Sequence, residues 1–279
     1  YRTLVDNYNE EEDMDDDEIY VNNLKEKMNK IDDFLKQRGL NLEISNEEVN
    51  NYLSKSLSYF NKFSVDRKDY RIKKKIGQGF SSTVYKAKQK STGNYVAVKE
   101  FNDNYLQNFR YLRREVCSLV HLKHKYLIKF VGFNNEESEK LWIITELVTG
   151  GELFEANTKG KLTPFQKTKI AFEIAEGMEY LHKKRFIHRD LKTSNILLKG
   201  DTPIITDFGY SRFAISSTMS NKIGTINYMS PEIIENDQYS FETDVFSYGL
   251  LLWELYSVEV PYSWCMDIED AIVGDEPLS

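Results

Sequence analysis

Cysteine is scarce in this sequence. Cys117 and Cys265 are the two thiols in 279 residues. They are too few and too far apart for a disulfide framework, so a reducing, cytoplasmic compartment is expected. Long apolar runs are missing as well. Leu250–Trp253 is stopped by Glu254, far short of the roughly 20 apolar residues of a membrane-spanning helix. A basic excess is absent. The formal charge is −7, and nine acids lie within residues 1–20 against the single Arg2. The remainder is close to neutral, which gives no electrostatic case for nucleic acid or a membrane surface. The first residues are polar and acidic, so no signal peptide is expected. The chain opens on Tyr1 rather than Met, as a fragment or a processed chain would. No internal repeat is evident. What is present is 41% hydrophobic and 13% aromatic residues, enough for a sizeable core in one large or two small domains.

Composition changes along the chain. Residues 1–20 read as an acidic disordered tail. Val21, Leu24, Met28, Ile31 and Leu35 then recur at spacings of 3 and 4, one apolar stripe on a helix ending near Gly39. Two heptads do not define a coiled coil, so the stripe suits either docking on a neighbour or a dimerising seam. Ser45-Asn46-Glu47-Glu48 is a capping-box pattern, and Val49, Leu53, Leu57 and Phe60 give the helix after it an apolar face. Residues 21–69 are thus expected to be a helical linker or the end of an upstream helical region. A helical partner or intramolecular docking through residues 21–60 is the expectation. From Tyr70 the texture turns to short β-prone runs, Tyr70–Ile76, Val84–Gln89, Tyr95–Glu100, Ile128–Phe133 and Leu141–Glu146, with a helical pattern at Tyr111–His121. After Gly150-Gly151 the pattern is mainly helical, with Ile170, Ile174, Met178 and Leu181 on one face of Phe165–Leu181. A strand-rich half followed by a helix-rich half predicts an α+β protein with two lobes.

Two segments carry most of the chemistry. His188-Arg189-Asp190-Leu191-Lys192-Thr193-Ser194-Asn195 offers an Asp to orient a hydroxyl, a Lys to neutralise phosphate charge and an Asn to hold a metal. Asp207-Phe208-Gly209 offers a second metal-binding acid. Gly77-Gln78-Gly79 follows a predicted strand, and its glycines admit close approach of backbone amides to phosphate. It is not a P-loop, since no G-x-x-x-x-G-K-S/T run occurs. Val96-Ala97-Val98-Lys99 is an alternating strand ending in a lysine. Together, in this order and spacing, these segments resemble the eukaryotic protein kinases, through the H-R-D-x-K-x-x-N, D-F-G, G-x-G-x-x-G-x-V and V-A-I-K patterns. Ser82 stands where the family has its third loop glycine.

The resemblance covers roughly residues 70–279. It implies a bilobal kinase fold with a small β-rich lobe over about 70–147 and a larger, mainly helical lobe over about 148–279. It also implies ATP and Mg2+. Ile76, Gly77, Gln78 and Gly79 would cover the nucleotide. Val84, Ala97 and Leu197 would sandwich the purine. Thr145 would sit at the back of the pocket, while Glu146 and Val148 would hold the adenine edge through backbone groups. Lys99 would bind the α- and β-phosphates and pair with Glu115 of the following helix. Asp190 would orient or accept the proton of the acceptor hydroxyl, Lys192 would carry γ-phosphate charge, and Asn195 and Asp207 would hold magnesium, a hard cation that prefers oxygen ligands. Asp244 would brace the catalytic-loop backbone. Leu119, Phe130, His188 and Phe208 align with the family's stacked regulatory column.

Lys192, and Thr225 before Tyr228-Met229-Ser230-Pro231-Glu232, favour serine and threonine as acceptors, and residues 243–255 resemble the tyrosine-kinase-like group. Arg189 fits activation by phosphorylation, with Ser216, Ser217, Thr218 and Ser220 as acceptors. A whole kinase domain would continue beyond Ser279 and supply an arginine for Glu232, whereas the last basic residue here is Lys222. The chain is therefore expected to be C-terminally truncated and poorly stable as it stands. The expected activity is ATP- and Mg-dependent phosphorylation of protein serine and threonine hydroxyls. The alternatives are a pseudokinase scaffold that binds nucleotide without turnover, and a tyrosine or dual-specificity kinase.

Overall fold

The computed structural model describes residues 62–79, 82–101, 116, 119–134, 140–208, 212–213, 224–236 and 239–274. The acidic run and both upstream helical patterns lie outside the described residues. So do Ser216, Ser217, Thr218 and Ser220.

Five antiparallel strands build the small lobe: β1 (Tyr70–Gln78), β2 (Ser82–Gln89), β3 (Tyr95–Phe101), β4 (Phe130–Asn134) and β5 (Trp142–Glu146), in the order β1-β2-β3-β5-β4. Side chains alternate between the two faces of a strand. In β3 this buries Val96 and Val98 on one face, where they join Tyr70, Ala87, Trp142 and Ile144 in a core. Ala97 and Lys99 are left on the other face. Val84 is directly opposite Lys99, and Thr145 is directly opposite Ala97. Directly paired residues share a face, so Val84, Ala97, Lys99 and Thr145 line one side of the sheet. Of the helical pattern at Tyr111–His121, Val116 and Leu119–His121 are described and are helical.

The large lobe contains α1 (Leu153–Thr158), α2 (Pro164–Lys183), α3 (Pro231–Asn236), α4 (Phe241–Ser257) and α5 (Ile268–Val273). Thr163 starts α2 with a reciprocal capping box to Gln166 and a proline at the first turn. These satisfy amides that a helix N-terminus otherwise leaves open. Ile170, Ile174, Met178 and Leu181 are buried along one face of that helix. Between α2 and α3 run four short strands: β6 (Phe186–Ile187), β7 (Ile196–Lys199), β8 (Thr202–Ile205) and β9 (Arg212–Phe213), with β6 paired to β9 and β7 to β8.

The connection from β5 into the large lobe is pinned to β7. The Gly150 amide donates to the Leu198 carbonyl, and the Leu198 amide donates to the Gly151 carbonyl, both at 2.9 Å. This brings Leu197, which bridges Glu152, to the base of the connecting segment. The approach is so close that a Cβ on Gly150 would lie 2.2 Å from the Leu198 carbonyl oxygen. Gly150→Ala is therefore expected to lower unfolding free energy by about 2–4 kcal/mol, since backbone rather than a yielding side chain blocks the methyl group. Urea denaturation followed by tryptophan fluorescence checks this; an unchanged midpoint would show that the connection is loose.

Candidate active site

The segment between β6 and β7 is bent where it must present Asp190. Arg189 has φ of 73°, and Asp207 has φ of 62°, a left-handed conformation that costs residues with a Cβ on the order of 1–2 kcal/mol. Asp244, near the start of α4, supplies the compensation for Arg189. Its carboxylate is 1% exposed and accepts the amides of His188 at 2.8 Å and Arg189 at 2.9 Å, while His182 Nε2 lies 2.8 Å from the same group. Three donors on one buried carboxylate fix the bend. His188 donates from Nε2 to the Thr206 carbonyl at 3.0 Å and accepts the Asp190 amide at Nδ1. Its ring packs 5.3 Å from that of Phe208, which is fully buried.

Asp190 emerges with both carboxylate oxygens engaged. Oδ1 accepts the amide and the hydroxyl of Thr225, each at 2.9 Å. Oδ2 accepts Asn195 Nδ2 at 2.8 Å and pairs with Lys192 Nζ at 3.0 Å. Lys192 Nζ also donates to the Thr225 hydroxyl. Thr225 thus bridges Asp190 and Lys192. The amide nitrogen of Asn195 also donates to the Asp190 carbonyl at 2.7 Å. Its side-chain oxygen is therefore the atom left to face a cation. Thr206 donates to the Asn195 carbonyl from both its amide and its hydroxyl at 2.9 Å, so the residue next to Asp207 is tied to Asn195.

Across from this loop, Lys99 Nζ lies 3.2 Å from Asp207 Oδ1. The Lys99 ammonium holds the Asp207 carboxyl below the usual aspartate range, against the opposing effect of burial. Asp207 is thus ionised at neutral pH. An ionised carboxylate and an amide oxygen suit a hard divalent cation. Glu115, the expected acidic partner of Lys99, lies outside the described residues.

The other nucleotide-site candidates lie on or just after β1, at the end of β5 and in the segment that follows it. Gly77 pairs with Val84 across β1 and β2. The Gly79 amide donates to the Ser82 carbonyl at 2.8 Å, so the residue that replaces the third glycine closes the loop through its backbone. Gln78 donates to the Gly79 carbonyl and accepts from the Thr83 hydroxyl. Ile76 is exposed on β1. Glu146 turns its carboxylate away from that face, to the Lys129 amide and to Lys199. Val148 is half-buried in the connecting segment.

One buried polar node joins residues to which the sequence motifs assign no role. Glu254 of α4 is 2% exposed, and its Oε2 accepts the hydroxyls of Thr193 and Tyr228, both at 2.6 Å. Its carbonyl accepts Asn157 of α1. Burial pushes the Glu254 carboxyl up, against the lowering pull of the two hydroxyl bonds. Burial and the neighbouring carboxyl push the Tyr228 hydroxyl up as well. The node ties the Lys192–Asn195 turn to the segment after Thr225. The only sequence signal for it is an acid inside the apolar run of α4.

Residues 70–273 match the protein kinase domain family. The chain belongs to that family. It is similar to the serine/threonine-protein kinase STY17 of Arabidopsis thaliana, 31% identical over 214 residues, which cover 75% of this chain and 37% of the relative. It is 36% identical to the serine/threonine-protein kinase shk1/pak1 of Schizosaccharomyces pombe, over 69% of this chain and 30% of the relative. It is 34% identical to the RAF proto-oncogene serine/threonine-protein kinase of Xenopus laevis, over 77% of this chain and 34% of the relative. The chain thus spans about a third of the length of these relatives.

The Lys99–Asp207 pair gives a pH signature. A carboxyl whose folded pKa is depressed contributes stability above its unfolded pKa and loses it as pH falls through the folded value. Lys99→Met removes the largest of the lowering influences, so the Asp207 pKa should rise from its depressed value. Carbon NMR titration of the Asp207 carboxyl checks this. An unmoved titration in the variant would show that Lys99 is not the cause.

Proposed function

We propose that this protein transfers the γ-phosphoryl group of ATP to serine and threonine hydroxyls of proteins. The observation that carries the reading is the Thr225 bridge between Asp190 and Lys192. It sets a carboxylate and an ammonium side by side, one to receive a proton and the other to meet phosphate charge. The acceptor hydroxyl attacks the γ-phosphorus, a new O–P bond forms, the bond to the ADP oxygen breaks, and the hydroxyl proton passes to Asp190. Little covalent chemistry is asked of the protein; positioning and charge neutralisation supply most of the rate.

The other roles belong to the same proposal. Lys99 holds the α- and β-phosphates, and Lys192 follows the γ-phosphoryl group. Glu115 is proposed as the acid that positions Lys99. Asn195 and Asp207 would hold Mg2+, which neutralises phosphate charge when bound. Ile76, Gly77, Gln78 and Gly79 cover the nucleotide, Val84, Ala97 and Leu197 enclose the purine, and Thr145 forms the back of the pocket. The Glu146 carbonyl and the Val148 backbone are proposed to read the adenine edge. Residues 70–279 are proposed as the catalytic domain, with residues 1–20 as an acidic tail. Among the described residues no helix is long and apolar enough to cross a membrane. With two cysteines in the chain, a reducing, cytoplasmic setting is proposed, with protein substrates rather than nucleic acid as partners.

Labelled γ-phosphate transfer from Mg-ATP to a generic protein substrate, followed by phosphoamino-acid analysis, tests the reading. Phosphoserine and phosphothreonine are expected. Asp207→Ala should lower transfer by about 10²–10³-fold or more, the size of loss seen when a preorganised electrostatic contact is removed. Phosphotyrosine as the main product would contradict the acceptor assignment. ATP binding without transfer by the folded protein would contradict catalysis.

A further inference from the structure

Residues 63–67 precede the span that matches the kinase family, yet they are built into its sheet. Ser64 makes a parallel bridge to Phe133 of β4. The Val65 amide donates to the Phe133 carbonyl, and the Phe133 amide donates to the Phe63 carbonyl, both at 2.9 Å. Asn134, 1% exposed, donates its side-chain amide to the Val65 carbonyl at 2.9 Å. β4 is an outer strand of the sheet, so these bonds cover an open edge. Gly132 makes the fit specific, because a Cβ there would lie 2.6 Å from Val65 Cγ1 and 2.8 Å from the Phe63 carbonyl oxygen.

The segment does more than cover an edge, because its side chains reach three strands. The Phe63 ring packs 5.7 Å from that of Phe130 on β4. Phe130 is in register with Thr145 on β5, and Thr145 with Ala97 on β3. The Arg67 guanidinium lies 3.9 Å over the Trp142 ring and donates to the Lys140 carbonyl at 2.6 Å. The Trp142 indole donates to Glu100 of β3 at 2.8 Å, and that carboxylate also lies 3.6 Å from Arg67. One short segment therefore grips β4 at Phe130, directly opposite Thr145, and β5 and β3 further along the same strands, at Trp142 and Glu100.

We propose that Phe63–Arg67 is a strap that positions the back wall of the nucleotide pocket, so that ATP affinity depends on residues outside the family's common domain. The proposal rests on the reading of Thr145 and Ala97 as pocket residues. A passive edge cover would affect stability alone. A positioning segment changes ATP affinity and leaves the protein-substrate KM unmoved.

The test uses the full chain with Phe63→Ala, Phe63→Leu and Gly132→Ala. Affinity for a fluorescent ATP analogue, thermal melts, and KM and kcat for ATP are measured on each. Phe63→Ala should weaken ATP binding about 3–10-fold, the range expected when coupled neighbours lose one contact. The KM for ATP should rise in parallel, while kcat stays within about twofold, because the strap is remote from the transferred group. Phe63→Leu should restore most of the affinity. Gly132→Ala keeps both rings but displaces Val65, and should weaken binding as well. If Phe63→Ala does not fold, Arg67→Gln carries the same expectation. Unchanged ATP affinity in the folded variants, whatever their melting temperatures, overturns the strap. An unmodified chain that binds ATP but transfers no phosphate refutes the kinase reading and still leaves the strap decided by affinity. An unmodified chain that binds no ATP overturns both.

Discussion

A single buried carboxylate, Asp244, is the constraint on which the site geometry depends. The His188 and Arg189 amides converge on it, and its own helix is anchored by an apolar face that includes Leu250, Leu251 and Leu255. Buried amides without acceptors each cost on the order of 1–3 kcal/mol. The left-handed turn at Arg189 is tolerated because Asp244 satisfies the amides that the turn exposes. Asp190 is thereby aimed at Thr225, Lys192 and Asn195. The Asp190–Lys192–Thr225 cluster is held by a helix that contributes no atom to it.

The small lobe reaches its part of the site by a different physical rule, strand alternation. A strand that buries Val96 and Val98 must place Ala97 and Lys99 on the opposite face. Pairing then brings Val84 and Thr145 to that face with no further requirement on their identities. Lys99 is delivered toward Asp207 by the same alternation that builds the core. One set of hydrophobic positions thus fixes both the stability of the sheet and the direction of Lys99.

Much of this was legible in the sequence. The five strands of the small lobe appear within two residues of the expected ends, because β-branched and aromatic residues recur in each between turn signals. Lys99, Asp190, Lys192, Asn195 and Asp207 come together because their motifs occur in a fixed order. The short strands β6–β9 were not legible, since two to four residues carry no periodicity and depend on partners elsewhere. The Thr163–Gln166 cap was present in the sequence as T-P-F-Q but is only decisive once the helix is seen. The Thr193–Glu254–Tyr228 node could not be read, because an acid within an apolar helix looks the same whether it faces solvent or a buried hydroxyl. The segment at Phe63–Arg67 carried no strand signal, because its pairing depends on the distant edge of β4 and on the small size of Gly132.

The loop that Asp244 braces is the part of the molecule proposed to perform the transfer. Single-turnover rapid-quench measurement of phosphoryl transfer in Asp244→Asn, beside its ATP affinity, tests it most directly. The substitution keeps the shape of the group but turns one acceptor into a donor facing a backbone amide. Transfer is expected to slow by about 10-fold to 100-fold, the cost of leaving one buried amide unsatisfied, with ATP affinity unchanged. An unchanged transfer rate in the folded variant would contradict it.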